Sequence, residues 1–242
     1  MTGFRFLSAS DSAVIVEFGD RVDRAVNERV LALGDAVHRA RLAGVTDVVP
    51  TFRSLMIHYD ALVTSGPAIE DAVTNLAQAG NPARQIKRRL WFIPACYEPS
   101  HAPDIEDIAR TLHLTAREVA ELHATCHYHV YMIGFVPGFP YMGDVAAALQ
   151  LPRRADPRTR VPPGSVAIAT NLTAIYPYES PGGWHLIGTT PIRFFDAATE
   201  RGSVLQAGDA VAFEPVTAAE FDRIKAAVAR NDFVPASQEI QP

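Results

Sequence analysis

Gly134-Phe135-Val136-Pro137-Gly138-Phe139-Pro140-Tyr141-Met142 opens the part of the chain whose reading decides the fold. Two segments of the same kind follow it, Pro157-Arg158-Thr159-Arg160-Val161-Pro162-Pro163-Gly164-Ser165 and Ser180-Pro181-Gly182-Gly183-Trp184. Glycine lets backbone N–H groups approach a ligand, proline fixes φ, and large aromatic rings make walls. Short apolar runs separate and flank these loops: His127–Ile133, Val166–Ala169, Ala174–Tyr178, His185–Gly188, Ile192–Phe195 and Ala210–Pro215. Many short strands divided by Gly/Pro turns indicate an antiparallel barrel or sandwich. Three such loops carried on strands predict a preformed concave site.

Upstream, Asp104–His113 and Thr115–Thr125 read as short helices, and Thr115 with Glu118 has the capping-box spacing. Downstream, Thr217 and Glu220 start a last helix that runs to about Arg230, and the segment from Pro235 to Pro242 is expected to fray. The first ninety residues differ. Ala13–Phe18 is a strand by its β-branched content, and Asp23–Ala43 is a helix with the stripe Val26, Val30, Leu33 and Val37, closed by Gly44. Val45–Phe52 and Leu55–Tyr59 read as strands, Pro67–Ala79 as a helix stopped at Gly80, and Gln85–Ile93 as a strand. The order β-α-β-β-α-β is the split βαβ, or ferredoxin-like, pattern. The expectation is α+β: a ferredoxin-like sandwich domain over residues 1–88, an antiparallel β-barrel domain over 89–232, and a flexible tail over 233–242.

With 242 residues the chain has room for one large core or two modest ones. A net charge of −5 argues against a nucleic-acid partner, because no basic face offsets phosphate repulsion. No apolar run approaches the roughly 18–20 residues that cross a bilayer, and the start (Met1 to Ser8) lacks a signal peptide's apolar core. Cys96 and Cys126 have neither metal-ligand nor redox spacing. A cytoplasmic chain with two free thiols is the simplest reading, with a disulfide left open.

No nucleophile elbow, Walker A loop or dinucleotide fingerprint is present. His127 and His129 share one side of a strand, near His123 and Glu121 in sequence, yet no further ligand has clear spacing. The border of a polar pocket is the simpler reading, and no metal is expected. Arg158 and Arg160 share a side if extended, which suits a bidentate clamp on a carboxylate as well as it suits a solvated turn; Arg153 and Arg154 add charge nearby. Tyr131, Phe135, Phe139 and Tyr141 crowd eleven residues, and with Pro137 and Gly138 they read as a binding wall in preference to core filler. Ser180, Gly182, Gly183 and Trp184 form either an anion nest or a plain turn. Tyr176, Tyr178 and His185 are titratable groups beside that segment, but spacing alone selects no acid–base pair, so the catalytic residues stay unassigned.

Longer stretches carry a resemblance. Tyr131 to Met142, Pro157 to Pro162, Gly164 to Ala169, and Ile175-Tyr176-Pro177 with Ser180 to Gly188 resemble the 5-oxoprolinase B-subunit family. That family is also known as the kinase-inhibitor or allophanate hydrolase subunit 1 family and is related to the carboxyltransferase region of urea carboxylase. Asp11-Ser12-Ala13, Val48-Val49-Pro50 and Arg53-Ser54-Leu55 also look like it, so the resemblance runs from about residue 8 to 216. It implies a small α+β domain followed by a cyclophilin-like β-barrel. It implies two partners as well, the 5-oxoprolinase C subunit, which has a related barrel, and the A subunit. It also implies opening of the 5-oxoproline lactam to glutamate, coupled to ATP hydrolysis, with the chain inactive alone and holding no tight cofactor. Other members inhibit a sporulation histidine kinase, and a carboxyltransferase acting on urea or another amide is a third reading. The implied substrate wall includes Ser165 and Tyr176 with the loop residues above. Two departures stand out. Relatives read Gly-Gly-Gln-Thr-Gly where this chain has Thr170-Asn171-Leu172-Thr173-Ala174, and their Gly-rich turn is here Glu98-Pro99-Ser100-His101-Ala102-Pro103.

Overall fold

The computed structural model describes residues 3–79, 88–199 and 202–240. The chain divides into two compact units, Met1–Lys87 and Arg88–Gln241. In the first, the elements run β1 (Arg5–Ser10), β2 (Ala13–Glu17), α1 (Arg24–Ala40), β3 (Val45–Pro50), β4 (Ser54–Tyr59) and α2 (Gly66–Gln78). They build one antiparallel sheet in the order β1-β2-β4-β3. Alternation decides its inner face: Val14 and Val16 of β2 and Leu55 and Ile57 of β4 pack on Val30, Leu33 and Val37 of α1 and Ile69 and Val73 of α2. Asp23 caps α1 by accepting from the Val26 N–H. The helix stops at Ala40, where Arg41 takes the left-handed conformation, three residues short of the end expected at Ala43.

The ferredoxin-like order is not what forms. The strand expected to complete it belongs to the second unit as β5 (Arg88–Ala95), and the first sheet is completed by β1 instead. β1 (RFLSAS) is mostly exposed and shows no apolar alternation, which is why its sequence carries no strand signal.

The second unit continues with α3 (Ile105–Leu112), α4 (Ala116–Ala124), β6 (His127–Ile133), β7 (Pro140–Gly143), β8 (Arg158–Val161), β9 (Ser165–Ala169) and β10 (Leu172–Ile175). Then come β11 (Ser180–Gly182), β12 (His185–Thr189), β13 (Ala210–Pro215), α5 (Ala218–Ala229) and β14 (Ser237–Ile240). Eight strands form a sheet in the order β12-β9-β10-β7-β6-β13-β5-β14, and β8 pairs separately with β11. Among the described residues this ladder does not close into the expected barrel, and it is not wholly antiparallel, since β13 runs parallel to β5. A single bridge, Cys96 to Thr189, ties the chain just after β5 to the end of β12. Ile192–Phe195, expected as a strand, joins the ladder nowhere and makes one isolated bridge from Phe195 to Ser203. Ser237–Ile240, expected in a flexible tail, pairs with β5, where the Ser237 hydroxyl accepts from the Arg89 guanidinium. It covers an edge that would otherwise present unpaired backbone groups. Both cysteines are free thiols.

β9 (SVAIA) is buried on both faces, so its sequence is a continuous apolar run. Val166 and Ile168 enter the main core with Ile93, Tyr128, Val130 and Phe213, while Ala167 and Ala169 face a separate aromatic cluster. Behind this strand sits His123 of α4, fully buried and stacked on Tyr128. Thr173 Oγ1 gives its proton to the Ala167 carbonyl (3.1 Å), so it accepts from His123 Nε2–H (2.9 Å), and Nδ1 then accepts from the Tyr97 hydroxyl (2.8 Å). Burial pushes the imidazole pKa down to about 3, against 6.5 for an ordinary histidine. The unfolded chain therefore binds a proton that the folded one refuses, and stability should fall as pH drops from 6.5 towards about 3. Wild type should lose about 1.4 kcal/mol per pH unit more than His123→Gln between about pH 6 and pH 4. Urea titrations at each pH measure this, and parallel pH profiles would show that His123 is not the group that titrates.

Candidate functional site

The three Gly/Pro/aromatic loops meet on the alanine face of β9 and β10. The 134–142 loop is closed by its own backbone: the Gly134 N–H donates to the Phe139 carbonyl (3.0 Å), and the Phe139 N–H to the Val136 carbonyl (3.1 Å). Gly138 makes the turn at φ 78, where an added Cβ would lie 2.7 Å from Phe195 Cβ. Phe139 is thereby driven into the centre of the cluster. Its ring centroid lies 4.8 Å from that of Tyr141, 5.0 Å from Tyr176 and 6.4 Å from Trp184, and Tyr141 and Trp184 are 6.0 Å apart. Ala167, Ala169 and Ala174 form the floor, and residues this small leave room for the rings above them. Phe135 lies on the rim, 58% exposed and at φ 70, with its ring 5.4 Å from Phe139. A bulky residue at positive φ is a backbone outlier, and such strain concentrates at functional sites.

Trp184 is reached through glycine. An added Cβ on Gly182 would stand 2.3 Å from the Tyr176 hydroxyl. That hydroxyl has no hydrogen-bond partner among the described residues, although Tyr176 as a whole is 2% exposed. Its donor and its acceptor lone pairs are therefore unused by the described residues. Burial pushes the Tyr176 phenol up to about 12, with Arg153 and Arg158 pulling the other way, and burial raises Tyr141 with Arg153 again opposing. The Arg153 guanidinium lies 5.9 Å from the Trp184 ring centre.

The expected arginine clamp is not assembled. Arg158 gives two hydrogen bonds to Asp104 (2.9 and 2.6 Å), while Arg160 pairs with Glu179 at the surface (3.0 and 2.9 Å). Asp104 is 3% exposed and also accepts from Arg154 (3.2 Å) and from the Leu186 N–H (2.7 Å). Burial alone would raise its carboxyl; the bonds from Arg158 and Leu186, with Arg154, outweigh that and hold it below the usual carboxylate range. Sequence reasoning passed over Asp104 because it stands at the N-cap position of α3, yet its side chain makes no capping bond there.

The remaining expected residues are placed elsewhere or are already engaged. Tyr131 turns to Asp144 (3.0 Å) and to the His129 ring, and Pro137 is exposed at the loop tip. The Ser165 and Ser180 hydroxyls bond carbonyls within their own turns, to Pro162 and Tyr178. The 180–184 segment is not an open anion nest: Ser180 and Gly182 pair with Val161 and Arg158, and the Gly183 carbonyl accepts from the Arg154 N–H (2.8 Å). Among the described residues no three His, Cys, Asp or Glu side chains are grouped to hold a metal, and no helix is long and apolar enough to cross a membrane. A separate cleft of about 490 Å³ lies in the same unit between Trp91, Ile192, Val204, Val228 and Phe233, and none of the three loops up to Trp184 lines it.

Thr170 sits in the left-handed region at φ 54, with its N–H donating to the Leu151 carbonyl (2.7 Å). A β-branched residue is strained there by roughly 1–2 kcal/mol. Thr170→Gly should raise stability by about 1 kcal/mol, read as a higher urea midpoint; a lower midpoint would show that the strain is relieved elsewhere.

Comparison with known proteins agrees with this architecture. The model of the carboxyltransferase domain, subdomain C and D, matches residues 4–205. The chain is 34% identical over 226 residues to the 5-oxoprolinase B subunit of Bacillus subtilis (strain 168), covering 89% of this chain and 94% of that protein. The solved structure of TTHA0988 superposes with a TM-score of 0.77 at 35% identity, over 86% of this chain and 40% of that one, so this chain spans about two fifths of its length. The urea carboxylase of Kluyveromyces lactis superposes at 0.79 with 20% identity, over 98% of this chain and 24% of that one, which is a likeness of fold alone. By its sequence and its architecture, the chain belongs to the carboxyltransferase domain, subdomain C and D, family, the one that includes the B subunits of 5-oxoprolinase.

Proposed function

We propose that this chain is the B subunit of an ATP-dependent 5-oxoprolinase, acting in the cytoplasm with the A and C subunits to open the lactam of 5-oxoproline to glutamate. The observation that carries the reading is the match, along 94% of its length, to a protein of that name. The site supports it. A five-membered lactam presents a small flat ring, and Tyr141, Tyr176 and Trp184 above an alanine floor are aromatic faces suited to pack on it. An amide is inert until its carbonyl is activated, and phosphorylation from ATP on the oxygen makes the carbon open to water. This chain holds no nucleotide-binding motif, so ATP would enter through the partners. Phe135, 58% exposed on the rim, supports this reading as an apolar ring available to a partner subunit.

The test is reconstitution with the A and C subunits. The expected result is 5-oxoproline-dependent ATP hydrolysis with glutamate release, present in the three-part mixture and absent from this chain alone. A stable assembly with no such turnover would overturn the proposal. The family model's own description favours one second reading, a carboxyltransferase component acting on an amide. It would show as turnover that requires a biotinylated partner. Inhibition of a histidine kinase by the isolated chain, without lactam turnover, would point instead to the regulatory branch of the family.

A further inference from the structure

Charge around the aromatic site does not balance. Arg153, Arg154 and Arg158 have one buried carboxylate among them, Asp104, whose two oxygens already accept three guanidinium bonds and the Leu186 N–H. Asp156 lends Arg154 its backbone carbonyl at 3.4 Å, with no bond from its carboxylate. Arg158 turns both terminal nitrogens of its guanidinium to Asp104. Arg154 gives Asp104 a single nitrogen and remains 30% exposed. Arg153 is exposed, lies over Trp184 and has no acidic partner among the described residues. A surplus of positive charge on a chain of net charge −5 is a local departure in need of a cause. The second observation is independent of charge: the hydroxyl of buried Tyr176 has no hydrogen-bond partner among the described residues and fills the space that only a glycine, Gly182, leaves open beside it.

We propose that Arg153 and the Tyr176 hydroxyl together anchor the carboxylate of a small cyclic monocarboxylic acid at the Tyr141–Trp184 edge. The anion determinant of the site is then Arg153, supported by Arg154, and not the Arg158–Arg160 pair that the sequence spacing suggests. A guanidinium over an indole is held in one orientation, and a carboxylate meets two of its N–H groups while accepting a third bond from the phenol. Arg158 and Asp104 act behind it as a fixed brace. The inference rests on the reading that the aromatic cluster is the ligand site, and it narrows that reading to the group that recognises the acid.

Tryptophan fluorescence of the full-length chain, titrated with 5-oxoproline and with 2-pyrrolidinone (the same ring without its carboxylate), tests it. 5-Oxoproline should change the emission, and 2-pyrrolidinone at equal concentration should not. Arg153→Gln should weaken the response at least tenfold, Tyr176→Phe severalfold, and Arg160→Gln less than twofold. Arg153→Lys should recover part of the loss. No response, equal responses to the two rings, or an equal loss in Arg153→Gln and Arg160→Gln would overturn the proposal. In the assembled complex Arg153→Gln should raise KM at least tenfold with little change in kcat. An unchanged KM with active turnover sinks the anchor and leaves the proposed function standing. Carboxylate-selective, Arg153-dependent binding without turnover in the complex does the reverse.

Discussion

Asp104→Asn is expected to destabilise the second unit by about 3–5 kcal/mol. The cost has an identifiable source. The carboxylate is buried, receives bonds from two guanidinium groups, and is paired with the backbone of β12 through the Leu186 N–H. Asparagine keeps the shape and removes the charge, which leaves Arg158 and Arg154 mutually repelling in a partly desolvated place. It also turns one acceptor into a donor that faces other donors. The depressed carboxyl gives a second signature. Because its folded pKa lies below its unfolded value, its stabilisation is complete above the ordinary carboxylate range and is lost as pH falls through the folded value. Urea unfolding at neutral pH and in acid should show wild type and Asp104→Asn converging as pH falls. A difference that stays constant through acid would mean that charge is not the cause. Arg160→Gln, which breaks an exposed ion pair, supplies the contrast and should leave the urea midpoint nearly unchanged.

Phe139→Ala should cost about 3–5 kcal/mol by opening a cavity among rings that cannot collapse onto it. Four aromatic side chains touch this ring, and with Tyr141 it joins the 134–142 loop to Trp184 of the 180–184 segment. Its removal should therefore also flatten the near-ultraviolet circular dichroism, which reports fixed tyrosine and tryptophan rings, whereas Asp104→Asn near neutral pH should leave that spectrum in place below its unfolding transition. Phe139→Leu, closer in volume, should retain most of the stability. A loss below about 1 kcal/mol for Phe139→Ala would show that the loop can detach without disturbing the site.

Elements made by local periodicity are legible in the amino-acid order alone. β6 and β13 have the bounds read from the sequence, and α4 and α5 start after Thr115 and Thr217, whose hydroxyls accept from the N–H three residues on. Short, polar or glycine-rich strands are not legible. β1 lacks alternation, β8 and β11 are four and three residues long, and β14 is recruited by an edge and not by its own composition. At the site, the aromatic loops announce themselves by composition, and their convergence is a tertiary fact. The arginines show the limit most clearly. Two-residue spacing puts Arg158 and Arg160 on one side, yet acids 54 and 19 residues away take them up separately.

The sequence by itself determined which segments are stiff, apolar or helical, because those properties depend on neighbours within a turn or a pleat. It determined the family too, since the long loop motifs are read residue by residue. Only the tertiary structure decided strand partners, above all the parallel pairing of β5 with β13 across some 120 residues, and which cations are neutralised. Pairing and charge compensation are set by groups distant in the chain, and a linear pattern holds no record of the distance between them once folded.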